Sequence, residues 1–416
     1  MLISEKTRQL AAQAEELIAP VFEKIDAVAQ KNTEKVLSAF QDHRVSAVMF
    51  DGTTGYGYDD RGRDTLDQIY AQVFGAEDAL VRIQFVNGTH TLACALFGML
   101  RPGDTMVSLV GPPYDTLCSA IGITGNAPGS LKEYGVGYAQ VDPTADGEPN
   151  LSEIERVCAE IQPKAVLIQR SRGYSTRASL TIEKIKAICD VVRKVSPATY
   201  IMVDNCYGEF CEELEPTQVG ADIMAGSLIK NPGGGLAATG GYIAGKKELV
   251  EMASMRLTSP GIGRECGASL NENRLLYQGF FLAPHTVAQA LKTAVFCAKM
   301  MELLGYGSKP MADAPRTDIV QTVELGSREA LCRFCRGIQM GAPVDSFVTP
   351  EPWAMPGYED EVIMAAGAFV QGSSIELSAD GPMREPFLAY MQGGLTYESG
   401  KTGIMLAAEE LLKGEA

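Results

Sequence analysis

Between residues 79 and 245 the chain alternates short apolar, β-rich runs with helical stretches, and this alternation restricts the fold more than any other feature of the sequence. Strands are expected at 80–85, 105–109, 136–141, 165–169, 200–203, 223–228 and 241–244, with helices near 89–101, 151–161, 181–195 and 246–256. The apolar runs are near-continuous rather than alternating, which is the pattern of strands buried on both faces. Strand–helix alternation of this kind predicts an α/β fold built on a mostly parallel sheet with right-handed crossovers. Ligands of such sheets sit at the carboxyl ends of the strands.

The flanking regions read differently. Leu10, Leu17, Ile18, Val21, Phe22, Ile25 and Val28 recur at helical spacing, so residues 5–43 are expected to be helical. The stretch Asp51-Gly52-Thr53-Thr54-Gly55-Tyr56-Gly57-Tyr58-Asp59-Asp60 is too polar for a core and too rich in glycine for a helix, and reads as a long loop with a task. Residues 270–305 suggest a long helix or a helix pair broken near Pro284. Beyond about residue 310 a mixed α/β segment with its own strands, such as 374–377, reads as a second, smaller domain. There is no internal repeat and no low-complexity tract.

Composition excludes several functional classes. With 46% hydrophobic and 21% charged residues the chain is a globular protein with a large core, not a disordered one. Its 52 acidic residues outnumber 36 basic ones, for a formal charge of -16. That sign argues against nucleic acid and against an anionic membrane surface as partners. No apolar run reaches the length of about 18 residues that a spanning helix needs. Met1-Leu2-Ile3-Ser4-Glu5-Lys6 lacks the basic and apolar regions of a secretory signal, and the ten scattered cysteines read as reduced, buried thiols, so a cytoplasmic location is expected. Cys332 and Cys335 have CxxC spacing. The choice is between a zinc half-site or redox pair and two thiols on adjacent turns of a helix. The helix is favoured, because no second CxxC or nearby histidine completes a metal site. The three histidines, His43, His90 and His285, support neither a metal site nor a catalytic triad.

Two strand ends carry the chemistry. Tyr200-Ile201-Met202-Val203-Asp204-Asn205 ends a buried strand in a carboxylate. The next strand runs through Ser227-Leu228-Ile229-Lys230 into the glycine-rich turn at 233–235. If the strands are parallel, Asp204 and Lys230 emerge on the same edge. A lysine ending an apolar strand is costly without a task or a partner. Desolvation favours its neutral amine, which can form a Schiff base. A nearby carboxylate suits a protonated pyridine nitrogen, and lysine on the aldehyde with aspartate on the ring nitrogen is what pyridoxal phosphate requires. The competing reading is a structural Lys–Asp ion pair. Asn87-Gly88-Thr89-His90-Thr91 follows a strand and opens a helix, where backbone N–H groups and hydroxyls bind phosphate. The bland alternative there is an ordinary helix cap. Ser227 can add a hydroxyl to the same phosphate.

Taken together, Ser227-Leu228-Ile229-Lys230, Asp204-Asn205 and the Gly88-Thr89 turn make the chain resemble fold-type-I pyridoxal-phosphate enzymes of cysteine and methionine metabolism. More narrowly, it resembles the methionine γ-lyase-like or aluminium-resistance proteins related to cystathionine β-lyases. The resemblance covers about residues 56–396. It implies a seven-stranded, mostly parallel sheet in a large domain over 66–290, a smaller C-terminal α/β domain over 291–416, and an N-terminal helical segment with a dimer-contact loop over 1–65. It implies Lys230 as the Schiff-base lysine, Asp204 as partner of the ring nitrogen, and Gly88, Thr89 and Ser227 as phosphate ligands. Tyr114, with His90 second, is the ring expected to stack on the cofactor. Tyr56 or Tyr58 with Arg61 resembles the tyrosine–arginine pair that reaches a neighbour's phosphate. A homodimer with shared active sites follows, assembled further into a homotetramer, with dimer and tetramer both open.

Departures are visible. Ile229 stands where better-known γ-lyases have threonine before the lysine, and Tyr58-Asp59-Asp60-Arg61-Gly62-Arg63 replaces their YxRxxNP stretch. Their C-terminal carboxylate-binding arginine motif has no clear counterpart. Arg384, Arg170 and Arg172 compete for that role, which calls for an arginine fork. Tyr207, three residues after Asp204, reads as packing rather than as a partner of the cofactor's phenolic oxygen. The expected activity is carbon–sulfur elimination from a sulfur-containing amino acid, with β- and γ-elimination both open. Alternatives are a pyridoxal-phosphate aldolase or aminotransferase, a non-catalytic cofactor-binding protein, and a nicotinamide dehydrogenase, the last disfavoured by the missing GxGxxG.

Overall fold

The computed structural model describes residues 3–414 except 126, 127, 174, 176 and 355–359. The chain separates into two compact units. One comprises Glu34–Leu228 and Leu236–Phe281; the other comprises Met1–Thr33, Ile229–Gly235 and Leu282–Ala416.

The first unit is built on seven strands: β1 (Asp78–Arg82), β2 (Thr105–Ser108), β3 (Gly137–Gln140), β4 (Ala165–Gln169), β5 (Tyr200–Asp204), β6 (Ile223–Ser227) and β7 (Gly241–Gly245). Their order is β1-β7-β6-β5-β4-β2-β3. Neighbours from β3 through β6 are parallel, and only β7 is reversed, antiparallel to both β6 and β1. All five residues of β4, of β6 and of β7 are buried, as near-continuous apolar runs require.

Helices α2 (Arg61–Phe74), α3 (Gly88–Met99), α4 (Asp115–Ile121), α5 (Leu151–Ile161), α6 (Ile182–Val195) and α7 (Lys247–Leu257) lie within a residue or two of the expected stretches, except α2 and α4, which the sequence reading did not anticipate. Their starts are local chemistry: the side chains of Asp60, Asn87, Asn150 and Thr181 each accept a backbone N–H of the first turn. On one face of the sheet Leu80, Met106, Leu167, Met202, Ile223 and Ile243 pack with Leu92 and Leu96 of α3 and Leu249 and Val250 of α7. Each such side chain contributes about 1.5–3 kcal/mol on burial.

In the second unit an antiparallel sheet has the order β10-β11-β12-β9-β8, from β8 (Gly307–Lys309), β9 (Val320–Glu324), β10 (Val362–Ala365), β11 (Ser378–Pro382) and β12 (Leu388–Gln392). Helices α9 (Arg328–Met340) and α10 (Tyr397–Leu412) pack so closely that a Cβ on Gly337 would overlap the backbone of Ala407. The 38-residue α1 (Glu5–Asp42) contributes its first part here. It is held by Lys401–Glu15 and Lys292–Asp26 ion pairs, both at 2.6 Å, and by the Tyr397 hydroxyl on Glu15 at 2.9 Å. Cys332 and Cys335 lie on adjacent turns of α9, and burial pushes both thiols above their ordinary range. Among the described residues no three His, Cys, Asp or Glu side chains are grouped to hold a metal ion, and no helix is long and apolar enough to cross a membrane.

Two expectations are corrected. The helix α8 (Asn273–Leu303) is continuous through Pro284. Proline removes one donor and costs about 3 kcal/mol in a helix interior, but the buried stripe Tyr277, Phe280, Ala283, Val287, Ala290 and Leu291 keeps both halves in one helix. The segment 374–377 is not a strand; β11 begins at Ser378. The buried Glu376 carboxylate accepts the N–H groups of Phe369 at 2.8 Å and Val370 at 2.9 Å, which ties this segment to the preceding turn instead of a ladder.

Candidate active site

The parallel strands bring most of the singled-out residues of the first unit to one edge of its sheet. Asp204 ends β5, in register with Gln169 of β4 and Ala225 of β6, and Ser227 ends β6. Gly88, Thr89 and His90 open α3 beyond β1, Tyr114 caps α4 beyond β2, and Arg170 and Arg172 follow β4. Lys230 comes three residues after Ser227 in the chain and is grouped with the second unit, where it is half-buried at the start of the turn Asn231–Gly233.

The start of α3 is a preformed cradle. The Asn87 side chain accepts the His90 N–H at 2.8 Å, while the Thr91 hydroxyl donates to the Asn87 carbonyl at 2.9 Å. The Thr89 hydroxyl meets that of Thr116 at 2.6 Å, which ties this turn to the loop carrying Tyr114. A Cβ on Gly173 would stand 3.4 Å from the Tyr114 ring. His90 Nδ1 accepts the Val86 N–H at 3.1 Å, and burial lowers the pKa of the imidazole. Across the sheet edge, the Ser227 hydroxyl is buried and, among the described residues, has no hydrogen-bond partner. A buried polar group in that state costs about 1–3 kcal/mol, which marks a place where an acceptor belongs.

Asp204 is 6% exposed, and its Oδ1 accepts the Cys206 N–H at 3.1 Å. Tyr207, half-buried in the following turn, holds φ at 73°. Arg170 is fully buried; its guanidinium meets Asn205 at 2.8 Å and Glu212 at 2.7 Å. Arg172 is also buried. Arg384, in the second unit, is exposed and pairs with Asp360 at 3.2 Å.

The loop at 51–60 is ordered by the segment at 263–271. The Gly267 N–H donates to the Tyr56 carbonyl at 2.9 Å, the Leu270 N–H to Thr53 at 3.1 Å, and Arg63 donates to the carbonyls of Gly57 at 2.7 Å and Gly267 at 2.9 Å. Tyr56 and Tyr58 stack at 5.4 Å, and both are exposed, as is Arg61. A hydrogen bond to Cys266 raises the Tyr58 phenol. Thr116 and Glu215 were not singled out from the sequence, and Asn205 was quoted beside Asp204 without a role of its own. Thr116 sits two residues after Tyr114 at a helix start, a usable cue, whereas nothing local marks Glu215.

A family model described as methionine gamma-lyase matches residues 7–412. The uncharacterized protein YnbB of Bacillus subtilis (strain 168) is 52% identical over 412 residues, 98% of this chain and 97% of its own. A solved structure from Clostridium novyi NT, a carbon-sulfur lyase involved in aluminum resistance, is 53% identical with a TM-score of 0.94, covering 98% of this chain and 96% of that one. A pyridoxal-5'-phosphate dependent protein of Escherichia coli, YhfS, shares the fold at 17% identity with a TM-score of 0.64, over 94% of this chain and 97% of its own. With the α/β architecture of fold-type-I enzymes in place and the match running nearly end to end, the chain belongs to the methionine gamma-lyase family.

Proposed function

We propose that the protein is a cytoplasmic, pyridoxal 5'-phosphate-dependent carbon–sulfur lyase acting on a sulfur-containing amino acid. The observation that carries this reading is the buried Ser227 hydroxyl lacking a partner among the described residues, at the end of a strand beside Asp204 and three residues before Lys230. The residues fit the group: Gly88, Thr89 and Ser227 would hold its phosphate, Asp204 its ring nitrogen, Lys230 its aldehyde, and Tyr114 or His90 would stack on the ring. Tyr58 and Arg61 would serve the site of a second copy in a homodimer, assembled further into a tetramer; their exposure supports this. Family membership and the name of the Clostridium novyi relative support the reaction class.

When bound, the cofactor supplies an electron sink for the carbanion formed next to the substrate amine. The chain's own residues do the rest. The Asp204 carboxylate keeps the ring nitrogen protonated, and the Lys230 amine takes the α-proton. Arg172 or Arg384 would orient the substrate carboxylate. A thiolate on the β-carbon would then leave with its bonding electron pair, whereas one on the γ-carbon would leave only after a second proton had been taken from the β-carbon.

Borohydride reduction followed by peptide mapping tests the cofactor assignment, with the label expected on Lys230. A Lys230→Ala variant should keep its fold and lose release of thiol and keto acid. Label on another residue, or thiol release at the wild-type rate by that variant, would sink the reading; release of aldehyde and glycine instead would move the enzyme to the aldolase class.

A further inference from the structure

We propose that Arg170 is a positioning residue for Asp204 and not a ligand of the substrate: it clamps the turn that aims this carboxylate. The inference rests on the assignment of Asp204 to the cofactor's ring nitrogen.

Arg170 grips both residues at the end of β5. Its backbone N–H donates to the Asp204 carbonyl at 3.0 Å, and its guanidinium donates to Asn205 Oδ1 at 2.8 Å. The same guanidinium reaches Glu212 at 2.7 Å and Glu215 at 3.4 Å. Glu215 closes the turn from the far side, accepting the Asn205 amide at 2.9 Å and the Phe210 N–H at 2.9 Å. Lys35 donates to the neighbouring Glu213 carbonyl at 2.6 Å, and the Tyr242 hydroxyl donates to Glu209 at 2.8 Å. Arg170, Asn205, Glu209 and Glu215 are all fully buried. Burial works against the Arg170 charge, but Glu215 and Glu212 hold it cationic. Burial raises the Glu215 carboxyl, with Arg170 pulling it back.

The turn needs such a clamp. Tyr207 and Phe210 hold φ at 73° and 63°, a left-handed region that large side chains rarely occupy. Strain of this kind persists only where the surroundings over-determine it, and it clusters at functional sites. Gly208 lies so near Arg170 that a Cβ would come 2.5 Å from the arginine Cδ, so the turn is moulded on that side chain. Asp204 Oδ1 in turn accepts the Cys206 N–H, so the direction of the carboxylate is set by the turn. Buried charge is a poor source of net stability compared with apolar packing, so its presence here argues for a fixed geometry. Glu212 and Glu215 match the guanidinium's charge from within the protein and Asn205 takes a further N–H, while its buried Nε–H has no partner among the described residues.

The test uses the holoenzyme and two variants, Arg170→Lys and Asn205→Ser. The second leaves the Arg170–glutamate pairs in place and carries the test if the first does not fold by circular dichroism. Readouts are cofactor affinity, the pH dependence of the visible absorption band, and kcat and KM. The expected result is a roughly 10- to 100-fold loss in cofactor affinity and in kcat, a shifted pH transition, and little change in KM. A raised KM with kcat and the pH transition unchanged would make Arg170 a substrate ligand and overturn the proposal. Folded variants matching the wild type in all readouts would overturn it too. Wild-type protein that takes no borohydride label on Lys230 would instead bring down the cofactor assignment, and this inference with it.

Discussion

Thr89 and Thr116, on the first turns of two different helices, share a hydroxyl–hydroxyl hydrogen bond of 2.6 Å. The bond fixes the Thr89 side chain over the N-terminus of α3, where a phosphate would sit. Thr89→Val should therefore weaken cofactor binding about 10- to 100-fold, the equivalent of one hydrogen bond to a charged group. Thr116→Val, which removes only the support, should cost less. Fluorescence titration with pyridoxal phosphate reads both.

Ser227 offers a test in which two stabilities move apart. Its buried hydroxyl lacks a partner among the described residues, so Ser227→Ala should leave the apoprotein as stable as wild type or up to about 1 kcal/mol more stable. The stabilisation gained on adding cofactor should shrink, since it scales with affinity. Calorimetry with and without pyridoxal phosphate separates the two, and an apoprotein clearly destabilised by the substitution would contradict the account.

Asp60 caps α2 and anchors the loop bearing Tyr56 and Tyr58. It accepts the Arg63 N–H at 2.9 Å, the Thr53 hydroxyl at 2.5 Å, the Asn273 amide at 3.1 Å and the Ser269 hydroxyl. Burial alone would raise its pKa, but these bonds together hold it below the ordinary carboxylate value. A depressed carboxylate stabilises the fold above its ordinary pKa of about 4, and that contribution is lost as pH falls through the folded value. Asp60→Ala should cost about 2–4 kcal/mol at neutral pH, from the lost cap and the stranded donors. Asp60→Asn should flatten the acid limb of a stability-against-pH curve; an unchanged acid limb would refute the assignment.

The Arg82–Asp67 pair is almost fully buried, with contacts of 2.7 and 2.9 Å, and Asp67 also accepts the Val81 N–H at 2.7 Å. Asp67→Ala would strand a buried guanidinium, at about 3–5 kcal/mol. Replacing both partners by apolar residues, Arg82→Met with Asp67→Leu, should cost less than Asp67→Ala alone. Urea unfolding of the single and double variants measures the difference.

Much of the fold was legible because its signals are local. The run Ala165–Gln169 is a strand with the bounds its apolar residues suggest, and Asn150, Thr181 and Asn87 cap helices as short polar side chains do. The strand-end residues Asp204 and Ser227 were legible for the same reason: each follows directly on a buried apolar run. Pro284 misled because a proline ring signals a break locally, while the buried stripe on either side of it depends on distant neighbours. Glu376 misled because its carboxylate binds the N–H groups of Phe369 and Val370, an arrangement that neighbouring residue types do not announce.

The residues and spacing of the chain by themselves determined a two-face-buried sheet, the starts of α3, α5, α6 and α7 to within a residue, and a carboxylate and a hydroxyl at the ends of two successive strands with a lysine three residues beyond. Those features follow from burial and capping, which act over a few residues. Tertiary structure alone decided that β7 runs against its neighbours, that Thr89 leans on Thr116, and that Arg170 matches its charge with Glu212 and Glu215 while its backbone N–H holds the Asp204 carbonyl. Strand direction, hydroxyl pairing and the matching of buried charge all depend on groups tens of residues apart, and only the folded chain brings them within a few ångströms of one another.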